Sequence, residues 1–134
     1  WLEFSPFLRA LKKLATRNVK VILTTDHGTV RVKRPTKIIG DRNTTTNLRY
    51  KQGKNLNYDE KAKHLFTVRK PEEAMLPRTN VSSTYVFTME DHFFAYPNNY
   101  NYYVNYYKDT FQHGGISLEE MIVPIVELTP KGRS

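Results

Sequence analysis

The chain has 134 residues, no cysteine and a formal net charge of +8 at pH 7. That length suffices for a domain with a core of its own, and the missing cysteines exclude disulfides, zinc ribbons and thiol chemistry. No apolar run approaches the ~20 residues of a membrane span and nothing has the pattern of a signal peptide, so the expected compartment is the cytoplasm.

The charge is uneven. Residues 31–70 hold twelve Lys and Arg against three Asp and Glu, whereas residues 81–134 hold three against six. The basic, loop-rich segment 31–70 suits a polyanionic substrate, a nucleic acid or an acidic partner, and equally a solvated surface. The chain opens on Trp1 rather than Met, which reads as a processed chain or a piece of a larger one.

In chain order, Ser5 and Pro6 open a helix over 5–16, with Ser5 as N-cap and Pro6 where a missing N–H costs nothing. Leu8, Leu11, Leu14 and Ala15 form its apolar stripe, onto which Phe4 is placed to staple. After Asn18 the β-branched run 19–24 predicts a buried strand, half of a βαβ unit whose first strand would precede Trp1. Val30 to Lys33 alternates as a short strand stopped by Pro35. Residues 37–41 read as a strand end and turn, and 44–53 as a polar, basic, hydroxyl-rich connection, part of it an ordered loop near the site. Leu65 to Val68 is a strand, and Pro71 to Met75 a single helical turn. Two further strands, 83–88 and 93–96, predict a hairpin across Met89-Glu90-Asp91-His92. Tyr103, Tyr106, Tyr107 and Thr110 share a face of a short helix, with Tyr100 one turn before them, an arrangement that suits core packing and also base or sugar stacking. Ser117 and Glu120 form a capping box, and residues 121–128 read as an edge or bulged strand around Pro124, followed by a tail.

Asp26-His27-Gly28 follows the strand directly. Carboxylate and imidazole are good ligands for zinc, manganese or iron, and catalytic residues of α/β sheets gather at C-terminal strand ends. Neighbouring strand residues face opposite ways, so the pair serves one ion only if the backbone turns, which Gly28 permits, or else serves two ions. The other reading is a capped turn with an ordinary loop histidine. His113, beside Gly114 and Gly115, is the candidate third ligand. A dinuclear site of this kind would polarise a phosphoryl oxygen and activate a nucleophile. His64 is expected on a surface, and His92 in the hairpin connection. Among Arg42, Arg49, Lys51 and Lys54, the arginines Arg49 and Arg42 are the candidates for holding substrate phosphate, with Arg49 preferred because Leu48 and Tyr50 flank and anchor it.

Thr24-Thr25-Asp26-His27-Gly28 and Phe111-Gln112-His113-Gly114-Gly115-Ile116-Ser117-Leu118-Glu119-Glu120-Met121-Ile122-Val123-Pro124 together resemble the closing half of a PglZ domain, a branch of the alkaline phosphatase superfamily. Ile39-Gly40-Asp41-Arg42, the run 44–53 and Phe94-Ala95-Tyr96-Pro97-Asn98-Asn99-Tyr100 sharpen the likeness toward PorX-type response regulators of Bacteroidetes. The resemblance implies an α/β fold, a partial alkaline-phosphatase-like sandwich with a mixed or parallel sheet flanked by helices and without its N-terminal half. It implies two zinc ions in the complete domain, with Asp26 and His27 on one and His113 on the other. The nucleophile and remaining ligands would lie upstream, so the chain by itself is expected to be inactive. Implied partners are the upstream half of the domain, a phosphoacceptor receiver domain and a nucleotide or oligonucleotide phosphodiester, in a regulator of type IX secretion. A second copy is a further candidate, because an uncovered sheet edge favours pairing. The alternative is a non-catalytic module that binds a regulatory protein or DNA and keeps a structural or vestigial metal site.

Overall fold

The computed structural model describes residues 3–131. The tail reading that extends to Ser134 lies partly outside them. The chain divides into two compact units, Trp1–Asp26 with Val123–Ser134, and His27–Ile122.

In the first unit, helix α1 (Pro6–Ala15) begins as expected, with Ser5 Oγ accepting the Phe7 N–H at 3.1 Å. The staple does not form, because Phe4 is 85% exposed. Strand β1 (Val21–Thr24) also differs from the buried strand expected. It pairs antiparallel with β9 (Ile125–Leu128), and Ile22, Leu23, Ile125 and Val126 stay exposed. A two-stranded ribbon can cover one face only. Here Val21 and Leu128 share a shallow cleft with Leu11 and Ala15 of the helix. Pro124 sits just outside β9 and costs it no ladder bond.

The second unit is built from small sheets. Strand β2 (Val30–Arg31) pairs antiparallel with β8 (Phe111–Gln112), and β3 (Arg34–Lys37) pairs parallel with β7 (His92–Ala95). A three-stranded antiparallel sheet has β6 (Thr84–Thr88) between β4 (Tyr50–Gly53) and β5 (Leu65–Val68). A 3₁₀ turn (Pro71–Ala74), helix α2 (Tyr100–Tyr107) and the one-turn helix α3 (Leu118–Met121) complete it.

Strand β7 carries the core. Successive strand side chains point to opposite faces, so Phe93 packs with Val30 and Val32 while Phe94 packs with Ile38 and Val86. Of α2, Val104 and Tyr107 join the first of these clusters, and Tyr102 and Tyr106 stay exposed.

Three local expectations change. Strands β6 and β7 do not form a hairpin, because β6 is taken by β4 and β5, and β7 by β3. Pro35 lies inside β3 rather than ending a strand, which a two-stranded sheet tolerates because one edge needs no donor. Residues 50–53 form a strand, not a loop, with Lys51 and Gly53 on its buried face. The whole is a mixed α/β arrangement of small sheets and few helices, compatible with the partial alkaline-phosphatase-like fold that the resemblance implies.

Candidate metal centre

His27 and His113 come from chain segments far apart in sequence, yet their rings stack at 3.9 Å between centroids with planes 13° apart. His27 Nδ1 lies 2.8 Å from the Gly28 carbonyl. A carbonyl only accepts, so Nδ1 carries the proton. That is the tautomer of a ligating histidine oriented by a backbone carbonyl. His27 is half-buried and His113 exposed.

Both loops are held from behind by one buried ion pair. Arg49 is wholly buried, and its Nε and Nη2 donate to the two carboxylate oxygens of Glu120 at 2.9 and 2.8 Å. Its remaining donors reach the carbonyls of His92 and Glu90. Glu120 also accepts from Gly115 N (2.9 Å), Ser117 N (3.2 Å) and Ser117 Oγ (2.7 Å). Burial alone would raise the Glu120 pKa, but the Arg49 and Ser117 hydrogen bonds, the Gly115 N–H and the Arg49 charge outweigh it and hold the carboxyl below its usual range.

The Glu120 backbone carbonyl accepts the Gly28 N–H at 2.9 Å, which fixes the turn after His27. A side chain on Gly28 would stand 1.9 Å from the Glu119 carbonyl oxygen, so the close approach requires glycine. On the other loop, Asn47 Nδ2 donates to the His113 carbonyl at 3.2 Å, while Asn47 Oδ1 accepts from Arg49 N. Gly114, at φ +103°, turns against that same Asn47 side chain. Ser117 and Glu120 therefore form the expected capping box, and the box has a second role in positioning both histidines.

The structure thus brings together His27 and His113 of the expected ligands. Asp26 directly precedes His27 and is exposed, at the end of the other compact unit. Arg42 is exposed on the loop after Ile38. Arg49, expected on a substrate-side surface, is instead interior, and each of its guanidinium nitrogens donates to Glu120 or a backbone carbonyl. Its flanking Leu48 and Tyr50 signalled anchoring, and the anchoring goes further than expected. Lys51 is buried too.

A second histidine pair was not foreseen. His64 and His92 stack at 3.8 Å, and both bond Thr36 Oγ1, at 2.9 Å from His64 Nε2 and 3.2 Å from His92 Nδ1. Thr36 has one hydroxyl proton, so only one ring can accept from it and the other must present an N–H. Burial, then the His64 and Arg34 charges, push His92 down to about 4, against the pull of Asp91 and Glu90. Among the described residues, Glu90, Asp91 and His92 bring potential ligand atoms within 4.8 Å of one another, but the Arg34 guanidinium already bonds both carboxylates. No sequence signal joined His64 to His92: the pairing of β5 with β6 sets Leu65 opposite Thr88, and Met89 N donates to the His64 carbonyl.

The family model of the BREX system PglZ alkaline phosphatase-like domain matches residues 3–128, almost the entire chain. The chain belongs to the PglZ family, within the alkaline phosphatase superfamily. No curated protein matches it.

Proposed function

We propose that this chain supplies the C-terminal part of a zinc-dependent phosphodiesterase-like site, with His27 and His113 on separate ions and Asp26 beside His27 as the further ligand. The observation that supports this most is the histidine stack. The ring centroids lie 3.9 Å apart, and two-metal phosphoester sites hold their ions about 3.5–4 Å apart. The donor set of two imidazoles and a carboxylate suits zinc. Bound there, zinc would polarise a phosphoryl oxygen and lower the pKa of a nucleophile. This chain's contribution is orientation: Gly28 O fixes the His27 tautomer, and the Arg49–Glu120 pair fixes both loops.

In this reading the nucleophile and the other ligands come from an upstream half of the domain, and the substrate is a nucleotide or oligonucleotide phosphodiester. The β1–β9 ribbon supports the first point, since it leaves Leu23 with Val126 exposed on one face and Ile22 with Ile125 on the other, apolar side chains that favour cover. Membership of a PorX-type response regulator acting in type IX secretion is the extension of the same reading, carried by the sequence resemblance alone.

The test is zinc content and bis-p-nitrophenyl phosphate hydrolysis, measured on the chain extended upstream. About two zinc ions per chain, lost in part with His27→Ala or His113→Ala together with turnover, is the expected result. Zinc content indifferent to both substitutions would overturn the reading.

A further inference from the structure

The three-stranded sheet of the second unit has two outer edges, and the chain treats them differently. Along β4 the preceding loop closes the edge: Thr45 N–H donates to the Gln52 carbonyl at 3.2 Å, and Gln52 N–H to Thr45 Oγ1 at 3.0 Å. Along β5 no further strand follows. An open edge is usually blunted by a proline, an inward charge or a bulge. Leu65-Phe66-Thr67-Val68 has none of these, and its register against β6 is unbroken.

Which groups the edge offers follows from the phase of the ladder. Met89 N–H donates to the His64 carbonyl at 2.9 Å, one step before Leu65 meets Thr88. Residues of an antiparallel pair alternate between those bonded to the neighbour and those turned away. Phe66 and Val68 therefore bond β6, while Leu65, Thr67 and Arg69 face outward. Leu65 N–H is already taken by the Ala62 carbonyl at 3.1 Å. Among the described residues, the Leu65 C=O, the Thr67 N–H and C=O and the Arg69 N–H and C=O remain without a backbone partner.

We propose that β5 pairs antiparallel with β5 of a second copy about a two-fold axis at Thr67, joining three strands from each copy into one sheet. In that register the two Thr67 residues exchange N–H···O bonds, and each Arg69 N–H meets the Leu65 carbonyl of the other copy. Only the Arg69 carbonyl, opposite the committed Leu65 N–H, stays at the rim. The register is selected. A slide of two residues one way sets Lys63 against Arg69, like charges face to face, and the other way sets Pro71, which has no N–H, against the Leu65 carbonyl. Phe66, 50% exposed, comes opposite Val68 of the other copy, on the face where Phe87 and Tyr85 are their own cross-strand neighbours. A cleft of about 470 Å³ along the strand, lined by Phe66, Val68, Glu73 and Ala74 among others, leaves room for the incoming side chains. The two cations at the end of the strand do not repel a second copy, because Glu60 holds Arg69 and Glu73 holds Lys70, each at 2.9 Å. The inference is independent of the zinc reading.

The test is analytical ultracentrifugation of the full chain, with amide hydrogen exchange followed by NMR at a low and a high protein concentration. A monomer–dimer equilibrium with Kd of about 10–100 µM is expected from so small an interface. The Thr67 and Arg69 amides should gain at least about tenfold protection at the high concentration, whereas Phe66 and Val68, bonded to β6 in either state, should not. Thr67→Pro deletes an outward N–H and leaves the β6 ladder whole, so it should raise Kd at least about tenfold with the circular dichroism spectrum unchanged. Ile22→Lys, on the apolar ribbon of the first unit, should leave Kd as it is, which separates edge pairing from association through that ribbon. A chain that stays monomeric to about 200 µM, a dimer that survives Thr67→Pro or is lost with Ile22→Lys, or Thr67 and Arg69 amides that exchange equally fast at both concentrations would each overturn the proposal.

Discussion

Replacing Glu120 by alanine would leave Arg49 charged, dry and without its carboxylate. Both side chains are within 2% of complete burial, and the carboxylate accepts two hydrogen bonds from Arg49, two from Ser117 and one from Gly115. Removing one member of a buried pair costs about 3–5 kcal/mol, because the remaining charge keeps its desolvation penalty. With a urea dependence near ~2 kcal/mol/M, the unfolding midpoint should fall by about 2 M. Exchanging both residues for apolar ones of similar volume, Arg49→Met with Glu120→Leu, should restore at least half of that loss. Circular dichroism along a urea series measures all three proteins. The pH dependence gives an independent reading. Because the Glu120 pKa is lowered on folding, its contribution is full above its unfolded value near 4.5 and is lost as pH falls through the lower folded value. The Glu120→Ala protein should therefore lose less stability below pH 4.5 than the parent. A midpoint shift under about 0.5 M in Glu120→Ala, or a double variant as unstable as the single one, would refute the argument that this pair holds the two loops.

Gly28→Ala should break the Gly28 N–H bond to Glu120, since the new methyl meets a backbone oxygen at 1.9 Å, and should cost about 1–3 kcal/mol in thermal or urea unfolding. The His92 imidazole should stay neutral well below the usual histidine range: its proton NMR titration should centre near pH 4. The unfolded chain takes up that proton from about pH 6.5 downward, so stability should fall between pH 6.5 and 4, and a His92→Gln protein should lack this component. Ser5→Ala removes the cap of α1 and should cost about 1 kcal/mol.

The elements with a local cause were legible. Ser5 and Pro6 set the start of α1, and Ser117 with Glu120 set α3, because a cap is written within four residues. The strand at 50–53 was not legible: Tyr-Lys-Gln-Gly has no alternation of apolar and polar residues, and its inward positions are a lysine bonded to a carbonyl and a glycine. The false hairpin has a related origin. Thr84–Thr88 and His92–Ala95 are both strands as read, but their short connection says nothing about which distant strand takes each edge. Of the candidate site, His27 and His113 were legible as residue types next to glycines, and the structure adds that they meet. Arg49 was legible as anchored and misplaced as to where, since a charged residue in a basic, polar run reads as surface until its partner 71 residues away is known.

That separation also sets the order in which the molecule assembles. Arg49 and Glu120 stand 71 residues apart, and the Gly28 contact with Glu120 spans a longer stretch still. Loops that long close late, after helices such as α1 and α2 and short-range turns have formed. Bringing the two histidine loops together therefore carries a larger loop-closure entropy than any contact within α1 or α2. Two ions held one by each ring can therefore sit side by side only in a chain whose Gly28–Glu120 and Arg49–Glu120 contacts are made.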